Sequence, residues 1–202
     1  MTMIMTQFYH PIPDLEIKNG IYKTKIDGLY FVSSQLHEDS RGFFAELCKI
    51  PSLNEILDKP FIIKQINHAH SQTYVVRGMH AESWRKLVAI VKGTAFCALV
   101  DIRPDSLTFK QVEIFNLGPQ ALYGCLFVPI GVANSIAVEK DEVEYLYFVD
   151  ALYKDRNPKG DQAISLFDPD LQIPWPIEKE KMIISERDQK SVQLRDLYPE
   201  KF

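Results

Sequence analysis

The segment Val76-Arg-Gly-Met-His80 is the first place where residue types and spacing could do chemistry. It follows the extended stretch Tyr74-Val-Val76, so a guanidinium, a glycine and an imidazole arrive together at a strand end. That combination suits a pocket for an anionic ligand. It suits a satisfied core histidine equally well, and the segment alone leaves both open. His68 and His70 stand two apart in Asn67-His-Ala-His70, which on a strand puts both rings on one face, as a metal pair would need. No acidic or thiol partner is close in sequence, so they read as the polar end of a strand. His10 and His37 fall in loops and read as solvated. The chain has no Gly-rich phosphate loop after a strand, no Gly-x-Ser-x-Gly elbow and no Cys-x-x-Cys.

The chain that carries these residues has 202 positions, enough for one domain that buries roughly 70% of its unfolded surface. Hydrophobic residues make up 46% and charged residues 25%, which excludes wholesale disorder. The net charge of -4 lacks the basic excess of a dedicated nucleic-acid binder. Cys48, Cys97 and Cys125 are sparse and odd in number, against a disulfide framework or structural zinc, and they read as buried free thiols in a reducing cytoplasm. No basic residue precedes Lys18, so the N-terminus does not read as a signal peptide. No apolar run approaches the roughly 18 residues of a membrane helix.

The elements that must position the chemistry are short β-branched and aromatic runs. Expected strands cover 29–33, 43–47, 61–66, 86–91, 94–102, 111–116, 125–128, 135–138, 144–149 and 163–166. Turn signals divide them, among them Asp39-Ser-Arg-Gly42, Arg103-Pro-Asp-Ser106 and Asn157-Pro-Lys-Gly160. The capping pattern Ser52-Leu-Asn-Glu55 opens a short helix to about Leu57, and a second helix is expected from Ser185 to about Leu197. Strands at this spacing make a sandwich or closed barrel. The reading is an all-β protein with a small helical fringe. Residues 1–25 form an N-terminal arm, a candidate for exchange with a partner subunit, and 26–202 form a single domain.

Val128-Pro-Ile-Gly-Val-Ala-Asn134 follows the second cupin motif, Pro-x-Gly-x-x-His, with Asn in the final place. His80 is followed by Ala81-Glu82, where the first cupin motif wants a second histidine. Two imidazoles are therefore absent, and a metal-dependent cupin is not the expectation. The chain resembles instead the dTDP-4-dehydrorhamnose 3,5-epimerase family, metal-free cupins that epimerise nucleotide-linked 4-keto-6-deoxy sugars. The matching segments, in the family's order, are Asp39-Ser-Arg-Gly-Phe-Phe-Ala-Glu46, Gln65-Ile-Asn67, Val76-Arg-Gly-Met-His80, Lys86-Leu-Val88, Val100-Asp-Ile-Arg103, Ser106-Leu-Thr-Phe109, Val128-Pro-Ile-Gly131, Tyr145-Leu-Tyr147, Asp168 and Ile173-Pro-Trp-Pro176. The resemblance implies a double-stranded β-helix, a jelly-roll barrel, in a homodimer whose N-terminal strands cross to the partner. It implies no cofactor.

The resemblance also implies roles. A keto group at carbon 4 acidifies the hydrogens on carbons 3 and 5. Inversion needs a base, a holder for the enolate oxygen and an acid on the far face. His80 matches the base, as histidine titrates near neutral pH. Asp168 matches the carboxylate that orients it, although Phe167-Asp-Pro-Asp170 also reads as a turn. Lys86 matches the enolate holder and Tyr147 the acid. Arg41 and Arg77 match residues that grip the diphosphate through paired donors. Glu46, Gln65 and Asn67 match residues near the nucleotide and its sugar, and Phe43 and Tyr153 are candidates for stacking on the base or closing over it.

Three departures bear on the substrate. Asn134 stands where the family places a histidine; it can hydrogen-bond a keto sugar but carries no titrating proton. The loop from His80 to Lys86 is short for the family. Arg187 replaces a lysine common in the C-terminal Ser-x-Lys-Asp pattern, here Ser185-Glu-Arg-Asp188. The expectation is an epimerase acting at carbons 3 and 5. The alternatives are a single-carbon epimerase on a related deoxy or heptose sugar, and a cupin that binds a nucleotide sugar without turnover. A ketoisomerase is disfavoured by the surviving His80, Asp168 and Tyr147.

Overall fold

The structure, a computed structural model, describes residues 7–155 and 160–202. Its elements run β1 (Glu16–Lys18), β2 (Ile21–Lys23), β3 (Tyr30–Ser33), β4 (Gln35–Asp39), β5 (Gly42–Glu46), α1 (Ile50–Asn54) and β6 (Gln65–Ser71). The middle of the chain gives β7 (Val75–Ala81), β8 (Lys86–Lys92), β9 (Ala95–Asp101), β10 (Val112–Leu117), β11 (Gly124–Val128), β12 (Val132–Ala137) and β13 (Val143–Val149). The C-terminal part adds β14 (Gln162–Ala163), β15 (Ile183–Ile184), α2 (Glu186–Gln189) and α3 (Leu194–Leu197).

Two sheets enclose the core. One is seven-stranded in the order β1-β2-β3-β11-β8-β13-β6; the other runs β10-β9-β12-β7-β14, with β15 parallel to β7. The remaining strand pairs are antiparallel, as expected for a jelly-roll barrel. β9 is buried at every position, and its period-2 geometry explains why. Cys97 and Leu99 face Phe115 and Ile90 between the sheets. Phe96, Ala98 and Val100 face an outer layer built from Leu166, Leu171 and Ile177. A third cluster, with Leu53 and Phe61 against Leu87 and Phe127, covers the outside of the other sheet.

Several boundaries differ from the sequence expectation. The strand expected over 61–66 begins at Gln65, as β6, and β1, β2, β4, β7 and β15 are not among the expected strands. Helix α1 starts at Ile50 with Pro51 in its first turn, where the fixed proline φ is accommodated, and the Ser52 cap does not form. The expected helix over 185–197 is broken into α2 and α3. Between them Val192 bridges to Ile164 and its carbonyl accepts from Ser165 N at 2.8 Å, which a continuous helix would forbid. The Asn157-Pro-Lys159 turn lies outside the described residues.

Where it is described, the N-terminal arm packs against the rest of the same chain. Tyr9 is buried in the core between Phe31 and Phe115, and its N–H donates to Ile114 O at 2.7 Å. Ile21 is likewise buried in the same chain. The element that stands apart is the β4–β5 hairpin, which pairs with neither large sheet and exposes Phe43 and Phe44. All three cysteines are free, and burial pushes the Cys48 thiol up to about 11. Among the described residues no helix is long and apolar enough to cross a membrane.

Candidate active site

A cavity of about 540 Å³ opens between the two sheets. His80 enters it from β7, and Lys86 and Tyr147 enter it from β8 and β13 on the opposing sheet. Close approach on the His80 wall depends on Gly78. Its φ is +136°, and a Cβ there would lie 2.6 Å from Ser135 Cβ on β12. β7 and β12 can therefore pair with Asn134 directly opposite His80.

The carboxylate beside His80 is Asp188, not the expected Asp168. Asp188 Oδ1 lies 2.7 Å from His80 Nε2, and the two side chains are 4% and 20% exposed. The other oxygen, Oδ2, accepts from Gly78 N at 3.3 Å. The local fold that delivers it is the α2 cap: Ser185 Oγ accepts from Asp188 N at 3.1 Å, fixing the first turn. Burial pushes the Asp188 carboxyl up, but His80, with its hydrogen bond and charge, and the Gly78 N–H together hold it below the usual carboxylate range. Asp168 serves elsewhere. Its Oδ2 accepts from Leu194 N at 2.6 Å at the start of α3, and its Oδ1 from Asp170 N at 2.9 Å. Both oxygens thus hold backbone, and Asp168 does not line the cavity.

Lys86 is 5% exposed, and its ammonium donates to Glu82 Oε2 and to Asn134 Oδ1. Desolvation raises the Glu82 carboxyl, but Lys86, joined by the charges of His80 and Arg187, holds it below its ordinary value. Tyr145 and Tyr147 share the inner face of β13, with ring centroids 6.1 Å apart. Burial raises the Tyr145 hydroxyl above its ordinary value.

Arg77 lines the cavity, with Nε donating to Ser71 Oγ at 2.9 Å and Nη2 to His70 O at 3.1 Å. Arg187 lines the same cavity from α2. Among the described residues neither guanidinium forms an ion pair with a carboxylate. Tyr153 lines the cavity, and its N–H donates to Gln65 Oε1 at 2.9 Å. Gln65 Nε2 in turn donates to Asn67 Oδ1 at 2.6 Å, and Asn67 Nδ2 is buried without a partner.

Five expected contacts, Arg41, Phe43, Glu46, Gln65 and Asn67, do not line the cavity within one chain. Arg41 sits on the β4–β5 turn, 88% exposed and paired with Asp39 at 2.7 Å. Phe43 is 60% exposed on the same hairpin. Glu46 pairs with Lys49 at 3.0 Å and lines a second, smaller cavity. His68 and His70 point outward from β6 toward Glu144 and Glu142 at 3.1 and 3.9 Å. Among the described residues no group of three or more His, Cys, Asp or Glu is placed to hold a metal ion.

The sequence reading notes Arg187 only as a departure from the family pattern and assigns no site role to Glu82, Arg187 or Asp188. For Asp188 a signal exists: serine three positions before a carboxylate marks a helix start, and a short helix start can aim a side chain inward. Glu82 lies two positions after His80, so the strand period puts it on the same face.

The family model described as dTDP-4-dehydrorhamnose 3,5-epimerase matches residues 23–196. A curated protein of that name from Methanothermobacter thermautotrophicus is 31% identical over 179 residues, covering 86% of this chain and 94% of its own. The crystal structure of the Legionella pneumophila dTDP-6-deoxy-D-glucose-3,5-epimerase RmlC in complex with dTDP-4-keto-L-rhamnose is 29% identical with a TM-score of 0.79. It covers 90% of this chain and 96% of its own. That of ChmJ, a 3'-monoepimerase from Streptomyces bikiniensis in complex with dTDP-quinovose, is 25% identical with a TM-score of 0.76. It covers 85% of this chain and 86% of its own.

Proposed function

The chain belongs to the dTDP-4-dehydrorhamnose 3,5-epimerase family, and from that premise we propose that it inverts carbons 3 and 5 of a nucleoside-diphosphate-linked 4-keto-6-deoxy sugar. The observation that carries the reading is the placement of His80 and Tyr147 on opposing walls of one cavity. Inversion requires a proton to leave one face of a carbon and another to arrive on the opposite face. A base and an acid on the same wall would return the proton where it came from.

His80 takes the proton next to the carbonyl. Asp188 holds one ring nitrogen, fixing the ring's orientation and stabilising the imidazolium that forms. Electron density moves onto the carbonyl oxygen, and the Lys86 ammonium holds the enolate; a donor fixed in a site of low dielectric is worth far more than one in water. Tyr147 delivers a proton to the far face. The protonated His80 and the tyrosinate then return to their starting states through solvent.

Arg77 and Arg187 hold the diphosphate. Both line the cavity, and among the described residues neither forms an ion pair with a carboxylate, whereas the buried Lys86 is already balanced by Glu82. Asn67 does not line the cavity, but it lies on the same face of β6 as the cavity-lining Ala69, and its buried Nδ2, unpartnered among the described residues, is the donor assigned to the nucleotide or sugar. Arg41, Phe43 and Glu46 reach a site across a homodimer: the exposed β4–β5 hairpin of one protomer covers the cavity mouth of its partner. Three free thiols fit a cytoplasmic enzyme.

A second reading, inversion at one carbon, is favoured by Asn134 facing His80, since an amide cannot relay a proton there. Proton NMR of a dTDP-linked 4-keto-6-deoxyglucose in deuterated water decides between them. Loss of both the carbon-3 and carbon-5 signals supports double inversion, and loss of one supports single inversion. Retention of both overturns the epimerase reading for this sugar.

A further inference from the structure

Glu82 directly follows β7, two positions after His80, and lines the same cavity. Its side chain is 16% exposed and that of Lys86 is 6% exposed. Lys86 opens β8, Asn134 lies on β12, and Glu82 follows the end of β7, so acceptors from two other segments converge on one ammonium. The connection that carries Glu82 runs only from 82 to 85 and is pinned on both sides. Ser83 N donates to Asp161 Oδ1 at 3.1 Å. Arg85 N donates to Asp150 Oδ1 at 2.9 Å, and its guanidinium reaches Asp150 and the carbonyls of Lys59 and Pro60.

A lysine ammonium has three donors and no acceptor. Glu82 Oε2 takes one and Asn134 Oδ1 takes another, which leaves one N–H for the cavity. We propose that Glu82 is a positioning residue: with Asn134 it clamps Lys86 so that the remaining N–H is aimed at the oxygen that becomes the enolate. The proposal rests on the reading of this cavity as an enolate-forming epimerase site. It gives the pair a division of labour. Glu82 supplies the charge that keeps a buried ammonium in place, and Asn134 supplies a neutral acceptor that fixes the second direction without adding a charge. A long side chain held at two points surrenders its rotamer freedom before substrate arrives. Stabilisation by a preorganised donor requires that, because no reorganisation then accompanies the charge shift. The short connection between β7 and β8 is what sets Glu82 beside Lys86.

The test measures solvent exchange at the sugar carbons under saturating substrate and dTDP affinity by calorimetry. Glu82→Gln keeps size and an acceptor oxygen but removes the charge. Its saturated exchange rate is expected to fall about tenfold or more, as for a weakened oxyanion donor, with dTDP affinity changed by less than about twofold. In a Lys86→Met background Glu82→Gln is expected to cause no further loss, because Glu82 acts through Lys86. A wild-type exchange rate in Glu82→Gln, or a loss that adds fully to that of Lys86→Met, overturns the proposal. Glu82→Asp is run as a second variant, and exchange closer to wild type than in Glu82→Gln supports the role of the charge. His80→Ala is measured alongside. Exchange that persists in His80→Ala overturns the epimerase reading itself; exchange lost there but retained in Glu82→Gln overturns the Glu82 assignment alone.

Discussion

His80 Nε2 and Asp188 Oδ1 lie 2.7 Å apart although 108 residues separate them in the chain. The contact closes a loop from β7 through the whole second half of the barrel to the four-residue helix α2. β15 makes this possible by pairing parallel to β7, with Ile184 opposite Val76, so the chain arrives alongside the strand that bears His80. The Gly78 N–H then fixes the second carboxylate oxygen. A carboxylate anchored at two points holds the His80 ring in one orientation.

Replacing Asp188 and replacing Asp168 should have opposite signatures. Asp188→Asn is expected to lower solvent exchange by a factor on the order of 10² or more, with the protein folded and dTDP still bound. Asp168→Ala leaves Leu194 N without its acceptor and should cost about 1–3 kcal/mol of stability, with exchange by the folded protein retained. Thermal melts and exchange rates on both variants separate the two. Equal loss of exchange in Asp168→Ala would return that residue to the site.

Asp188 should also leave a mark on the pH dependence of stability. Its folded carboxyl titrates below the ordinary value near about 4, so its contribution is fully present above that value. It is lost as the pH falls through the depressed folded value. The melting-temperature gap between wild type and Asp188→Asn should therefore narrow below about pH 4. A gap that stays constant down to about pH 2 would contradict the assignment.

Arg77 and Arg187, neither ion-paired to a carboxylate among the described residues, should carry diphosphate recognition. Arg77→Ala and Arg187→Ala are each expected to weaken dTDP binding by about 10-fold or more, the scale of a charge-assisted hydrogen bond. Thymidine, which lacks the diphosphate, should lose nothing. Calorimetry with both ligands is the check, and equal losses for the two would point to a collapsed pocket instead.

The hairpin assignment is open to a mixing experiment. A chain with His80→Ala keeps its hairpin, and a chain with Arg41→Ala keeps its base. A mixed dimer then has one site with both elements intact, provided the hairpin acts across the interface. Activity at limiting substrate should rise above that of either variant alone after the two are unfolded and refolded together. No gain on mixing would place Arg41 outside the partner's site.

Much of this was legible in the residues. The central strands appear as apolar runs because β8 and β9 are covered on both faces, and His80, Lys86, Tyr147, Arg77 and Asn134 do converge on one cavity. Strand β7 was harder to read, since Arg77, Gly78 and His80 break its apolar pattern for the sake of the site. Asp168 misleads for a physical reason: a buried carboxylate that caps a helix and one that holds a histidine look alike in one dimension. The register of β15 against β7 decides between them, and that pairing is two residues long, too short to announce itself in sequence.

The proposed inversion needs an acid and a base facing each other across the cavity, and Tyr147→Phe in deuterated water is its most direct test. Proton NMR follows loss of the carbon-3 and carbon-5 signals, and product analysis follows inversion. Exchange should continue, because His80, Asp188 and Lys86 are intact, while inverted product falls by a factor on the order of 10². Inversion at the wild-type rate would remove Tyr147 from the acid's place and leave the opposing wall without its role.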